Sequence, residues 1–386
     1  MDFSLSDDQQ AFISTARAFS KDVLAPGAAL WDRDHIFPVE VFRQAGDLGF
    51  MSLYAPEEAG GLNLSRLDAS LIFEELAQGC TSTTAFMTIH NMATNMIGRY
   101  GSKALVDQWG ADLTSGQKLA SYCLTEPGSG SDAASLTTSA KTVDDHYLVN
   151  GSKVFISGAG ATDILIVMVR TGGKGAKGIT ALAIPADSAN IHYGKAEDKM
   201  GWHCQPTRQI TFDGVKVPVS HRLGSEGQGF KMAMEALDGG RINIASCSVG
   251  TAQAALNHAI SYSREREQFG QSIAEFQVTQ FKLADMATEL VAARQMVRLA
   301  AWKLDNSEAE AGVYCSMAKR LATDLCFNIC NEALQIHGGY GYIREYPLER
   351  FVRDTRVHQI LEGTNEIMRM IISRRLLMDD VAEVIR

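Results

Sequence analysis

Tyr147-Leu148-Val149-Asn150-Gly151-Ser152-Lys153-Val154-Phe155-Ile156 is the stretch on which the fold turns. Strand-forming residues flank an Asn-Gly pair. Both central residues of the tightest hairpin turn want positive φ, so Asn150-Gly151 predicts a hairpin joining strands at 147–149 and 153–156. Asp213-Gly214 predicts a second turn, between strands at 209–212 and 215–219. Further strand-like runs lie at 164–169 and 180–184. No helical pattern separates these strands, so they predict an antiparallel unit and not a βαβ array.

On either side the pattern is helical. Ser6-Asp7-Asp8-Gln9 is a capping-box sequence, and Phe12, Ala16, Phe19 and Val23 follow on one helical face until Pro26, where the helix should stop. Ser65-Arg66-Leu67-Asp68 opens another helix through Leu71, Phe73 and Leu76. On the C-terminal side, Met286, Leu290, Ala293 and Val297 form a stripe. Ser307-Glu308-Ala309-Glu310 predicts a capped start for a helix running toward Leu334, and a last helix is expected over 365–379. The class is therefore α+β, with a helical domain at 1–120, a barrel- or sandwich-like β-domain at 121–232 and a helical domain at 233–386.

Composition narrows the function. The 386 residues, 46% of them hydrophobic, can bury a sizeable core. Thirty-six Lys and Arg against 45 Asp and Glu leave a net charge of −9, without the basic surface a nucleic-acid partner requires. Seven scattered cysteines suit buried thiols in a reducing compartment. Cys326 and Cys330 have the spacing of a helical metal pair, but their apolar surroundings favour packing. No metal site is expected. The acidic start, Met1 to Asp8, has no basic or arginine-rich leader, which predicts a cytoplasmic location, or the mitochondrial matrix if a transit peptide has been removed. The runs 76–98 and 242–263 contain no Lys, Arg, Asp or Glu, yet their Ser, Thr, Asn, Gln and His content predicts buried helices and not membrane spans.

Phosphate-loop, zincin and nucleophile-elbow motifs are absent, and neither Gly128-Ser129-Gly130 nor Gly158-Ala159-Gly160 completes a dinucleotide fingerprint. Four other stretches carry candidate chemistry. In 122–132 (YCLTEPGSGSD), glycines permit close backbone approach to a flat or phosphorylated ligand and hydroxyls add donors, although an ordinary polar loop has the same composition. In 335–342 (QIHGGYGY), three glycines end a long helix and suggest an open loop. Asp238-Gly239-Gly240-Arg241, placed at a helix start, offers a carboxylate and a guanidinium, or merely a surface ion pair. In 359–366 (QILEGTNE), Glu362 follows an apolar run. A glutamate in an apolar pocket has a raised pKa suited to a general base, whereas a helix-start role suits Asn365 and Glu366 better.

Together the α–β–α order and these four stretches resemble the acyl-CoA dehydrogenases over about residues 3–378. Within that family the resemblance is densest to members acting on isobutyryl-CoA in valine breakdown. It is carried by 79–85 (GCTSTTA), 121–131, Gly201-Trp202, Gln205-Pro206-Thr207-Arg208 and 239–247 (GGRINIASC). The resemblance implies a C-terminal four-helix bundle, FAD as cofactor, and a homotetramer built as a dimer of dimers. It also implies electron-transferring flavoprotein as partner, with neither nucleic acid nor stable membrane insertion.

The resemblance assigns roles by position. Tyr122, Leu124, Thr125, Gly130, Ser131, Phe155, Ile156 and Ser157 would line the flavin. Thr364, Asn365 and Glu366 would touch the cofactor of their own subunit, and Arg266, Gln277, Gln335, Ile336, Gly338 and Gly339 that of a neighbour. Ser131, Asp238, Gly239, Gly240, Arg241, Gly363 and Arg374 fall on the acyl-CoA side. Glu362 matches the base that takes the α-proton while flavin N5 takes the β-hydride. The Glu362 backbone N–H and a flavin ribityl hydroxyl would hold the charge on the thioester oxygen. Relatives that carry the base beside the arginine of 238–241 would need an acid at Gly240, which argues against isovaleryl-CoA. The alternatives are a butyryl- or 2-methylbutyryl-CoA dehydrogenase, an acyl-CoA oxidase, or a non-catalytic acyl-CoA-binding protein.

Overall fold

In the computed structural model, which describes residues 4–378, the expected hairpin at Asn150-Gly151 is one continuous strand. The chain begins with six helices: α1 (Asp7–Phe19), α2 (Ala25–Asp34), α3 (Val39–Asp47), α4 (Arg66–Gly79), α5 (Thr81–Tyr100) and α6 (Lys103–Thr114). Ser6 caps α1 with the reciprocal Ser6–Gln9 box, and Ser65 caps α4. Pro26 does not stop the first helix. A π-helical turn over Ser20–Leu24 leads into α2, where proline falls in the first turn and its missing N–H leaves no bond unmade. The charge-free run at 76–98 ends α4 and, after a break at Cys80, forms most of α5, whose residues are nearly all buried.

The middle of the chain is one eight-stranded sheet: β1 (Ala120–Cys123), β2 (Ser139–Val143), β3 (His146–Ser157), β4 (Ile164–Arg170), β5 (Ile179–Pro185), β6 (Ile191–Ala196), β7 (Thr207–Pro218) and β8 (Arg222–Leu223). The order is β6-β7-β3-β2-β4-β5-β8, with β1 on β4. Most pairs are antiparallel, but β1 and β2 each meet β4 in parallel, a departure from the all-antiparallel expectation. Both expected turns fall at one bulge. The register passes from Val149↔Val215 to Asn150↔Asp213, which leaves Gly214 (φ +68°) as the extra residue, and its N–H donates to Asn150 Oδ1 at 2.8 Å. Two positive-φ signals therefore face each other across β3 and β7, and neither reverses the chain.

The remaining helices are α7 (Gly229–Glu265), α8 (Gln277–Asp305), α9 (Ala311–His337), α10 (Gly339–Tyr342), α11 (Leu348–Arg356) and α12 (Asn365–Met378). A two-stranded ribbon, β9 (Glu267–Gln268) with β10 (Gln271–Ser272), links α7 to α8. The packed faces of α7, α8, α9 and α11 form one core containing the predicted Met286–Leu290–Ala293–Val297 stripe. The capping box at 307–310 does not form. Ser307 turns with φ +53°, Glu310 takes the N-cap position, and α9 starts one residue later. Asp238-Gly239-Gly240-Arg241 lies inside α7, not at its start, and the glycines of 338–341 enter a one-turn helix instead of an open loop. Asp379, expected in the last helix, lies outside the described residues. All seven cysteines are buried free thiols. Among the described residues no helix is long and apolar enough to cross a membrane.

Candidate active site

Glu362 sits in the short link before α12 with φ +54°, and Gly363 follows at +89°. Two successive left-handed residues, the first a glutamate, are costly backbone that the surroundings must hold. They turn the Glu362 carboxylate onto α7, where Gly240 makes room: a Cβ on Gly240 would stand 2.5 Å from Glu362 Oε2. That oxygen is buried and has no hydrogen-bond partner. Burial raises the carboxyl to about 7, against the opposing pull of Arg241 and Lys319. Arg241 is itself buried, bonds Asp238 Oδ1 at 2.5 Å, and donates from Nε to the Glu362 carbonyl at 3.4 Å. The Tyr122 hydroxyl is another buried atom without a partner. Burial first, then the charge of Glu362, push its pKa well above the ordinary value.

Several neighbours of Glu362 carry no role in the sequence-based expectation. Lys319 of α9 is fully buried, and its Nζ donates to the Gly363 carbonyl at 2.7 Å and to Asn365 Oδ1 at 2.8 Å. Nothing in Ser316-Met317-Ala318-Lys319-Arg320 distinguishes it from a surface lysine. Arg66 lies 3.5 Å over the ring of Tyr54, whose hydroxyl accepts from Asn243 Nδ2 at 3.0 Å. Trp202 (φ +58°) packs with Ala85, Ile244 and Leu361 beside the Glu362 link, and its backbone N–H donates to Asp354 at 2.6 Å. Asn365 is expected among the cofactor contacts of its own subunit. Its side chain is turned inward onto Lys319, Thr323 and Asp324, which leaves only its backbone for a ligand.

Next to Tyr122 the chain forms a surface from two segments. Val154 N–H donates to Thr125 O at 2.9 Å, while Lys153 Nζ reaches Leu124 O at 3.0 Å and Glu126 Oε1 at 2.8 Å. Glu126 also accepts from the backbone of Thr137 and Thr138 and from the Thr137 hydroxyl. Burial would raise its carboxyl, but Lys153 and these donors hold it down at about 2. The loop bearing Thr125, Gly130 and Ser131 is thus clamped onto β3. A second bulge, between Lys153 and Ile156, puts Phe155 at φ +57° and turns its ring out, 68% exposed, while Ile156 stays buried. The Ser157 carbonyl accepts from Ser121 Oγ at 2.7 Å. A Cβ on Gly128 would meet nothing within 4 Å, and one on Gly130 only Thr125 at 3.9 Å, so neither glycine is required by packing inside the chain. An outward ring, an unpartnered hydroxyl and an open glycine loop gathered around the ends of β1 and β3 fit a flat cofactor.

A second group of expected cofactor residues gathers elsewhere. Arg266, Ile336, Gly338 and Gly339 line one open cavity of about 450 Å³ with Tyr262 and Tyr340. Exposed Gln335 is beside it, and Gln277 begins α8 at the same end of the bundle. From Arg241 to Arg266 the chain runs along α7, a separation of about 37 Å at the helical rise per residue. Arg374 is exposed near the end of α12, as is Glu366 at its start.

The comparisons with known proteins match this layout. Models of the acyl-CoA dehydrogenase N-terminal, middle and C-terminal domains match residues 6–117, 121–215 and 227–377. The isobutyryl-CoA dehydrogenase of Bos taurus mitochondria is 53% identical over 375 residues, covering 97% of this chain and 90% of its own. The butyryl-CoA dehydrogenase structure from Megasphaera elsdenii superposes with a TM-score of 0.94 at 41% identity, covering 98% and 100% of the two chains. A structure of PigA with FAD and proline superposes with a TM-score of 0.95 at 28% identity, covering 98% and 100%. With all three domains matched in order and a glutamate whose Oε2 is buried and unpartnered where helix and sheet meet, this chain belongs to the acyl-CoA dehydrogenase family and is an oxidoreductase.

Proposed function

We propose that this chain binds one FAD and desaturates isobutyryl-CoA to methacrylyl-CoA, with Glu362 as the base and an electron-transferring flavoprotein as electron acceptor. The observation that carries the chemistry is Glu362 Oε2: buried, unpartnered, facing a glycine, on a carboxyl raised to about 7. A base with that pKa can take a proton near neutrality and release it afterwards. FAD, when bound, supplies the acceptor for the β-hydrogen as hydride.

The chain's own residues do the rest. Tyr122, Leu124, Thr125, Gly130, Phe155, Ile156 and Ser157 form the flavin surface, with backbone contacts from Thr364 to Glu366. Ser131, Asp238 to Arg241, Gly363 and Arg374 are assigned to the acyl-CoA. The Glu362 backbone N–H makes no hydrogen bond among the described residues and is free to meet the thioester oxygen. Gly240 leaves no acid beside Arg241, so Glu362 has no alternate at that position. Arg266, Gln277, Gln335, Ile336, Gly338 and Gly339 would serve a neighbouring subunit's FAD, in a homotetramer built as a dimer of dimers. The gathering of Arg266, Ile336, Gly338 and Gly339 around a cavity of their own, at the far end of α7 from Arg241, supports that division. We place the domain limits at 120 and 232.

Kinetics over isobutyryl-, 2-methylbutyryl-, butyryl-, isovaleryl- and hexanoyl-CoA test the substrate. Isobutyryl-CoA should be best or within a few-fold of it. A tenfold preference for hexanoyl-CoA, about 1.4 kcal/mol in transition-state binding, would overturn the isobutyryl assignment and leave the enzyme class intact.

A further inference from the structure

We propose that Lys319 is a positioning residue for Glu362: its ammonium clamps the strained link that carries the carboxylate and supplies a second cation against which that carboxylate ionises. The proposal rests on reading Glu362 as the base.

Lys319 lies within α9 with its side chain 0% exposed. A strongly hydrated ammonium is buried only where its surroundings hold it. Here two of its three N–H donors serve the Gly363 carbonyl and Asn365 Oδ1. Asn365 donates in turn to Thr323 Oγ1 at 2.9 Å and Asp324 Oδ1 at 2.7 Å. The stretch of α9 from 319 to 324 therefore grips both ends of 363–365. That grip opposes the relaxation open to Glu362 and Gly363, whose φ values are +54° and +89°.

The clamp stops short of an ion pair. No salt bridge joins Lys319 to Glu362 among the described residues; the lysine bonds the backbone beyond the glutamate and leaves Oε2 bare. Direct contact would lower the carboxyl and weaken it as a base, whereas loss of Lys319 would leave Arg241 alone to oppose burial and the carboxyl higher than it is. The groups facing Glu362 are Arg241 of α7, Tyr122 of β1, Tyr54 of the α3–α4 loop and Lys319. Those facing Lys319 are Glu362, Arg241, Asp324, Glu366 of α12 and His358 of the turn before Glu362. Of the two cations facing Glu362, Arg241 pulls harder and is itself paired with Asp238, while burial lowers the Lys319 ammonium to about 7, so the two side chains titrate in the same range and Lys319 adds the second, smaller pull.

The test uses full-length flavin-loaded protein carrying Lys319→Met or Lys319→Gln, the amide retaining a donor without the charge. Anaerobic flavin reduction by isobutyryl-CoA is followed against pH. Infrared difference spectra follow the Glu362 carboxyl C=O band, identified as the band missing in Glu362→Gln, in the same proteins without substrate. In both variants the rate midpoint and the band titration should move alkaline by about one pH unit or more, with roughly a tenfold slower reduction below the new midpoint. Midpoints matching wild type would overturn the proposal, even if rates fall uniformly. Failure of both variants to fold with flavin would overturn it too, by making Lys319 a support of the fold alone. Fast reduction by Glu362→Gln would instead sink the base assignment, which separates the two failures.

Discussion

The protein buries two lysines near two glutamates and obtains opposite results. Lys153 touches Glu126 at 2.8 Å, and three further donors from Thr137 and Thr138 complete the carboxylate, which is held down at about 2. Lys319 bonds a carbonyl and an amide beside Glu362, leaves one carboxylate oxygen without a partner, and the carboxyl rises to about 7. Residue types are alike, and both lysines are fully buried. What differs is whether donors are aimed at the carboxylate or at the backbone next to it. A satisfied pair shapes a loop; an unsatisfied one leaves a group able to take a proton.

The largest test of this contrast is Glu362→Gln. The amide keeps the shape but cannot accept the α-proton, so flavin reduction should fall on the order of 10³-fold or more, with FAD and acyl-CoA still bound. The same variant should behave oppositely in stability. The folded carboxyl lies above its unfolded value, so the folded state binds the proton more tightly and this group's contribution falls as pH rises from about 4.5 through 7. Removing the titration should make Glu362→Gln more resistant to urea than wild type above neutrality. A variant no more stable there would show that the buried carboxyl is not held against its own ionisation.

Next in size is Lys153→Met. It strands a buried carboxylate and should cost about 3–5 kcal/mol in unfolding free energy, measured by denaturant titration of the FAD-free protein. The sign for Glu126 is the reverse of that for Glu362. Its folded pKa lies below the ordinary value, so its contribution is full above about pH 4.5 and is lost as pH falls toward 2. Loss of that acid dependence in the variant confirms the clamp; an unchanged acid limb contradicts it. The smallest effect belongs to Gly240→Ala. The new methyl meets the end of a flexible side chain, while alanine favours helix, so stability should stay within about 1 kcal/mol. Turnover should drop by roughly 100-fold, because the carboxylate is displaced from its seat. Wild-type turnover would mean that Oε2 works from another position.

Legibility in the sequence followed locality. Ser6 and Ser65 act on their own first turns, and both caps are present. The charge-free runs read as buried helices because burial of a whole helix leaves its mark on every residue. Asn150-Gly151 and Asp213-Gly214 misled, since positive φ serves a bulge as well as a turn and only the partner strand's register distinguishes them. Glu362 stood out by its apolar neighbours. Lys319 gave no signal, because its burial is produced by a loop 44 residues away along the chain. Asn365, which the resemblance places on the cofactor, likewise gave no local sign that α9 takes its side chain.

The length of α7 has a consequence for how the holoenzyme loses its cofactor. The 37 residues of α7 carry the chain from Asp238–Arg241 beside Glu362 to Arg266 at the far end, and with the second group of contacts serving a neighbour, each FAD would be shared between chains and would act as an assembly ligand. Cofactor binding and subunit association then become one linked equilibrium. Dilution should empty the flavin site even at constant free FAD, and excess FAD should hold the subunits together at protein concentrations where the apoprotein dissociates.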